Sequence, residues 1–117
     1  MVVVVSPLSA TEDSPGAVEN PDQREVLQQI EKINLTAEQV QPFQKLLRQY
    51  YGKRNGATRR IARQGGNIPV KVRRDVRRVA RLSVKAMTEV LTPEQIIQYE
   101  KLMEICNRQY LVSAGLL

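Results

Sequence analysis

The spacing of apolar residues along the chain predicts four α-helices. Apolar side chains recur every three or four residues over 21–34, 37–63, 70–90 and 93–111, which is the period of one helix face. A cluster of glycine and proline at 65–69 predicts a turn between the second and third helices. No segment shows the two-residue alternation of a half-buried strand. The pattern therefore predicts an all-α fold, with one helical domain over residues 20–117.

The helix predicted over 70–90 has the sharpest division between apolar and charged faces. At 100° per residue, one narrow arc holds Val72, Val76, Val79, Ser83, Met87 and Val90. The opposite side holds Arg74, Arg77, Arg78, Arg81 and Lys85. This helix is expected to bury its valines and to present a basic face to solvent.

Two short motifs of nearly the same sequence begin the second and fourth predicted helices. Residues 35–40 read Leu-Thr-Ala-Glu-Gln-Val, and residues 91–96 read Leu-Thr-Pro-Glu-Gln-Ile. In each motif the threonine can cap the helix while the glutamine reaches back to the threonine N–H, which forms a capping box. The flanking apolar residues complete a hydrophobic staple. The match continues beyond the motifs, since Phe43 aligns with Tyr99 and Leu46 aligns with Leu102.

The paired Leu-Thr-x-x-Gln motifs resemble those of the Spy/CpxP family of bacterial periplasmic proteins. The residues that carry the resemblance are Leu35, Thr36, Gln39, Leu91, Thr92 and Gln95. The resemblance implies an elongated antiparallel arrangement of helical hairpins that pairs into a cradle-like homodimer. It implies that these six residues shape the helix junctions. Members of the family act as ATP-independent chaperones, stress-response regulators or metal-responsive sensor domains.

Charge is distributed unevenly along the chain. Residues 53–85 contain twelve Lys and Arg residues and a single acid, Asp75, so this segment carries +11. The remainder carries −5, and the whole chain carries +6. Such a density of like charge repels itself and disfavours the compact state. A solvated helix face would account for such a run, but the charge exceeds what solubility requires, which favours a binding function for the segment.

The sequence lacks the residue types that most enzymes and metal sites need. It has no His and a single Cys, so the commonest general base is missing and a structural zinc site cannot form. We therefore expect no catalytic residues, no metal and no cofactor. Cys106 is interpreted as a small buried hydrophobe. The acids expected to pair with nearby Lys or Arg are Glu89, Glu94, Glu100 and Glu104.

Residues 1–19 have little helical character and are interpreted as a leader. The apolar run at 2–5 is followed by Ser-Pro-Leu-Ser-Ala, which is typical of the end of a secretory signal peptide. A truncated or re-started signal sequence and an ordinary flexible tail both fit. No segment is apolar for long enough to span a membrane. A periplasmic location is expected, and a cytoplasmic one stays open.

Three functions fit the basic segment. The first is chaperone-like binding of unfolded or partly folded proteins, since a basic surface attracts acidic segments and apolar neighbours capture hydrophobic ones. The second is a regulatory adaptor that docks on an acidic sensor domain of a membrane kinase. The third is nucleic-acid binding, which suits an Arg-rich helix. Few aromatic residues are available for base stacking, and the sequence favours the first two functions.

The candidate client-binding residues follow from charge and helix phase. The resemblance implies that clients bind on the concave face of the dimer. The main candidates are Arg73, Arg74, Arg77, Arg78 and Arg81, with Arg59, Arg60 and Arg63 as a secondary set.

Overall fold

The computed structural model describes residues 21–116, so the leader predicted over 1–19 lies outside the described residues. These residues form four helices: α1 (Pro21–Ile33), α2 (Ala37–Gln64), α3 (Ile68–Met87) and α4 (Pro93–Ser113). No strand occurs between residues 21 and 116. The predicted all-α fold is confirmed, and most helix ends lie within two residues of their predicted positions.

The largest differences from the predicted helix ends are at α3. This helix begins at Ile68, two residues earlier than predicted, because the Asn67 side chain caps it by accepting from the Val70 N–H at 3.4 Å. Gly65, before the cap, has a φ of 77°, a left-handed value that glycine adopts without steric cost. The helix ends at Met87, three residues before its predicted end at Val90.

The helices pack as two antiparallel pairs. α1 packs on α4, and α2 packs on α3 across the turn at 65–67. Hydrogen bonds from Gln29 to Gln98 and from Arg108 to Glu25 show that α1 and α4 run in opposite directions. The fold measures 47 × 34 × 18 Å, so it is elongated and thin.

The apolar helix faces meet in a main core and a smaller one. The largest buried side chains of the main core are Phe43, Tyr50, Met87, Tyr99 and Leu102. Phe43 and Tyr99 contact edge to face, with 5.8 Å between ring centroids. The smaller core lies near the α2–α3 turn and contains Ile61, Val72, Val76 and Leu111.

The predicted division of α3 into two faces is confirmed. The valines at 72, 76 and 79 are buried, and so are Ser83 and Met87, while the arginines at 74, 77, 78 and 81 are exposed. The one buried polar side chain of α3, Ser83, shares a 2.6 Å hydrogen bond with the Tyr99 hydroxyl. Within residues 21–116, every buried side-chain nitrogen or oxygen has a hydrogen-bond partner.

Both predicted capping boxes are present. At the start of α4, Thr92 Oγ1 accepts from the Gln95 N–H at 3.2 Å, and Gln95 Oε1 accepts from the Thr92 N–H at 2.9 Å. At the start of α2, Gln39 Oε1 accepts from the Thr36 N–H at 2.9 Å, and the Gln39 N–H donates to the Thr36 carbonyl at 3.0 Å. The first turn of each helix is therefore capped by its own glutamine.

The same two glutamines also bind each other, and we refer to them as the glutamine pair. Gln39 Nε2 donates to Gln95 Oε1 at 2.9 Å, and Gln95 Nε2 donates to Gln39 Oε1 at 3.0 Å. Gln39 Nε2 also donates to the Val90 carbonyl, just before the second motif. Gln95 Nε2 donates to the carbonyls of Ile33 and Asn34, just before the first. Each glutamine therefore connects its own helix start to the other helix junction.

Residues that are equivalent in the two motif repeats contact each other along α2 and α4. The repeats are 56 positions apart, and so are the contacting pairs Gln39 with Gln95 and Phe43 with Tyr99. α2 and α4 therefore run parallel, in matching register. Exchanging α1 and α2 for α3 and α4 maps the α1–α4 pair onto the α2–α3 pair, so these two packed pairs are related by an internal pseudo-twofold axis. The symmetry is approximate, since α3 also packs on α4 without an equally extensive contact between α1 and α2.

We expect Gln95→Ala to lower the free energy of unfolding by about 1–3 kcal/mol, because carbonyls at the other junction lose their donor. Gln39→Ala should have a similar effect, and the double variant should lose less than the sum of the two. Urea titration measures all three. Gln41→Ala, at an exposed position of α2, is the control and should change stability by about 0.5 kcal/mol or less. Strictly additive losses would show that the two glutamines act independently.

Candidate functional site

A groove between α2 and α3 collects basic side chains around an apolar floor. Its cations are Lys53, Arg60 and Arg63 from α2 and Arg78 from α3. Its floor consists of Gly56, Ala57, Val79 and Leu82. The groove has a volume of about 330 Å³. We refer to it as the α2–α3 groove.

The spacing of residues along the two helices places these side chains together. Positions 53, 56, 60 and 63 follow the three- and four-residue steps of one face of α2. On α3, Arg78 and Leu82 are four residues apart and lie on one side. Leu82 is 45% exposed, although it lies among the arginines of a basic helix. The groove thus offers an accessible apolar side chain that is surrounded by cations.

The α2–α3 groove continues toward the start of α2 and the end of α3. A second, small hollow of about 30 Å³ shares Lys53, Val79 and Leu82 with it. The residues that it adds carry no charge: Leu46, Gln49, Tyr50, Ser83 and Ala86. From Leu46 to Arg63 the α2 side of the groove is about 26 Å long at the helical rise of 1.5 Å per residue. Positive charge is therefore concentrated near the 65–67 turn, and among the residues that line the other end only Lys53 is charged.

Asp75 neutralises only part of the positive charge beside the groove. Its carboxylate accepts from Arg78 Nε at 2.8 Å and from Arg60 Nη2 at 3.3 Å. The hydrogen bond to Asp75 raises the pKa of Arg78, whose guanidinium is charged even without this contact. Within residues 21–116, no carboxylate lies within 4.0 Å of Lys53 or Arg63. These two cations are thus available to a ligand, and the groove keeps a net positive charge.

Arg77 and Arg81 line a different groove, between α3 and α4. This groove has a volume of about 460 Å³, and its opposite side carries Glu100 and Glu104. Its charges are therefore mixed. The predicted pairing of the helix acids at 89, 94, 100 and 104 with Lys or Arg is wrong, since none of the salt bridges between described residues includes them. These side chains face cations across the groove or extend into water.

The other predicted arginines have separate positions. Arg73 is half-buried, and its Nη1 donates to the Leu116 carbonyl at 2.8 Å, so it holds the C-terminal tail on α3. Arg59 and Arg74 are exposed. The predicted client-binding set therefore does not form one surface. Three of its members, Arg60, Arg63 and Arg78, lie together in the α2–α3 groove.

Sequence reasoning missed the role of Arg54, which belongs to the basic segment but not to its solvent-exposed face. Its guanidinium lies over the Tyr110 ring, 4.0 Å from the centroid, and within 5.5 Å of the Tyr51 and Tyr50 centroids. Burial raises the pKa of Tyr50 to about 12. Tyr50 and Tyr51 precede Arg54 by one helical turn, which was a signal for these two contacts. The contact with Tyr110 depends on the tertiary fold.

Lys53 and Leu82 were not singled out in the sequence either. Lys53 lies at the edge of the basic segment, and Leu82 is a single apolar residue between Arg81 and Ser83. Its position four residues after Arg78 was the available signal. Their proximity follows from the packing of α2 against α3, which helix phase alone does not give.

Neither a metal cluster nor a reactive thiol occurs in the described part of the chain. No group of three or more His, Cys, Asp or Glu residues could hold a metal ion among residues 21–116. Cys106 is buried, as predicted, and lies 3.7 Å from the Tyr51 hydroxyl. Burial raises the pKa of its thiol, which disfavours the nucleophilic thiolate. Among the described helices, none is both long and apolar enough to cross a membrane.

No protein-family model, curated protein or solved structure matches the chain.

We expect Arg54 to stabilise the fold and Arg63 not to. Arg54→Gln should lower the free energy of unfolding by about 1–2 kcal/mol, since the tyrosine rings lose a partly desolvated cation. Arg63→Gln makes the same chemical change at an exposed position of the same helix and should change stability by about 0.5 kcal/mol or less. Urea titrations of the two variants provide the comparison. Equal losses would show that ring contacts do not distinguish Arg54.

Proposed function

We propose that this protein binds unfolded or partly folded proteins without ATP, as a periplasmic chaperone or stress-response protein of the Spy/CpxP type. The α2–α3 groove is the proposed client site, and no enzymatic activity is proposed. The observation that carries the proposal is the exposed Leu82, which lies among Lys53, Arg60, Arg63 and Arg78. The paired Leu-Thr-x-x-Gln motifs support it independently.

Charge attracts the client and apolar contact retains it. Cations that lack carboxylate partners attract acidic segments over about 8–10 Å at physiological salt. Covering the exposed part of one leucine adds roughly 1 kcal/mol, which changes affinity only several-fold. Arginine can also stack on aromatic rings that an unfolded client exposes. Binding of this kind is weak and reversible, so a client is released to fold.

The position of Leu82 favours a protein client over a nucleic acid. Phosphates would bind the same cations, but a phosphate backbone offers no apolar group to cover an exposed leucine. A regulatory adaptor would use the groove in the same way as a chaperone, but for one defined acidic domain. Measurements with unrelated clients separate these functions.

We expect neutralising the groove to reduce protection of an unfolding client several-fold. The test variant changes Lys53, Arg60 and Arg63 to Gln, and suppression of client aggregation is followed by light scattering. The control variant changes Arg74, Arg77 and Arg81 to Gln, which removes the same charge outside the α2–α3 groove. The test variant should lose most of its protection, and the control should retain it. Added salt should weaken the wild type, because it screens exposed charges.

Other results of this experiment would contradict the proposal. Equal losses in both variants would indicate a dependence on overall charge and not on the groove. Unchanged protection in both would show that none of these six cations is needed to bind the client. Short nucleic acids are titrated in parallel. Tight binding of these at physiological salt, without protection of any client, would make nucleic-acid binding the better proposal.

We also propose that the protein acts as a homodimer. The support is the thin fold, 18 Å in its smallest dimension, and two apolar side chains on α4 that extend into solvent, Ile97 at 54% exposure and Val112 at 60%. Sedimentation at tens of micromolar should give twice the chain mass of 13.3 kDa. Ile97→Glu should shift the equilibrium toward monomer if this face is the contact. A wild-type chain that stays monomeric at that concentration would contradict the dimer.

A further inference from the structure

The α2–α3 groove has a direction, because its two ends differ in charge. Arg60, Arg63 and Arg78 lie toward the 65–67 turn. Beyond Lys53, the opposite end is formed by residues that carry no charge, namely Leu46, Gln49, Tyr50, Ser83 and Ala86. A partner that fits the whole groove therefore carries its acidic and its apolar groups at opposite ends.

At Gly56 the floor of the groove consists of helix backbone without a side chain. Gly52 and Gly56 both lie inside α2, where glycine is among the least favourable residues. A Cβ atom built at either position would meet no atom within 4 Å, so packing of the fold does not require glycine there. Gly56 lines the groove beside Ala57 and Leu82. Gly52 is exposed and is not among the residues that line it.

We propose that the groove binds one amphipathic segment of a client in a fixed orientation. The acidic end lies over Arg60, Arg63 and Arg78, the apolar end lies over Leu46 and Ala86, and the backbone approaches α2 most closely at Gly56. This inference rests on the proposed function and specifies its substrate class. A groove of about 26 Å accommodates roughly eight extended residues or seventeen helical ones.

The fixed orientation follows from the cost of the reverse one. A reversed segment would place its carboxylates over the end that Lys53 alone lines with charge, where fewer cations compensate for their lost hydration. It would also place apolar side chains against arginines that water solvates well. Both effects destabilise the reversed arrangement. The groove therefore selects one orientation of the segment by disfavouring the other as well as by attracting the acidic end.

The first test compares fluorescent peptides of one composition and about sixteen residues. One peptide carries its acidic residues at the N-terminal end, one carries them at the C-terminal end, and one has them evenly distributed. Fluorescence anisotropy at about 0.15 M salt measures their binding. Both clustered peptides should bind about tenfold more tightly than the distributed peptide, because each can place its acidic end over Arg60, Arg63 and Arg78. Equal affinity for all three would overturn the fixed orientation.

The second test uses Gly56→Ala with Gly52→Ala as its matched control. Both variants replace a glycine inside the same helix, and both should raise the urea midpoint. Gly56→Ala should weaken binding of the clustered peptides about fivefold, because the added methyl group enters the groove. Gly52→Ala should leave this binding unchanged. Equal effects on binding, or none at Gly56, would contradict a close approach there.

The two proposals can fail separately. If the wild type protects unfolding clients but binds all three peptides equally, the proposed function stands and the fixed orientation is wrong. If a clustered peptide binds and Gly56→Ala weakens it while no client is protected, the oriented site stands. A dedicated acidic partner then replaces unfolded clients as its ligand.

Discussion

The reciprocal hydrogen bonds between Gln39 and Gln95 are the constraint on which the rest of the structure depends. Each amide holds the N–H of its own helix cap and a carbonyl at the opposite junction, so four chain segments meet at one point. The pair fixes where α2 and α4 begin and sets their parallel register. The same side chains therefore satisfy both local helix capping and tertiary packing. Agreement between local and tertiary preferences of this kind favours a single fold.

The position of the α2–α3 groove follows from where the glutamine pair makes α2 begin. With the start of α2 fixed, the 65–67 turn returns α3 antiparallel alongside it, and the buried valines of α3 determine which of its residues border α2. Arg78 and Leu82 are left on the side of α3 that faces outward, and there they lie opposite Lys53 and Arg63 of α2. Like charges are held close together here because the apolar contacts beneath them outweigh their screened repulsion. The groove is thus a charged site that rests on a rigid helix pair.

Features determined by neighbours in the sequence were predictable, and features determined by packing were not. The four helices, the buried face of α3 and both capping boxes follow from residues three or four positions apart. The sequence showed two glutamines capable of capping but not their contact with each other across 56 positions. It presented the arginines as one basic face. The structure distributes them between two grooves, a tail contact and open solvent, because neighbouring helices divide that face.

The pseudo-twofold axis gives the chain the form of a symmetric dimer whose two half-length subunits have been fused into one polypeptide. In a true symmetric dimer, both copies of every surface would be identical. Within a single chain that restriction does not apply, and the two halves of this chain differ in sequence. The α2–α3 groove is basic, whereas the equivalent positions between α4 and α1 hold Gln109 in place of Lys53 and Asp22 in place of Arg78. The two helix pairs thus share one packing arrangement. Of their two equivalent surfaces, only the α2–α3 groove is strongly basic.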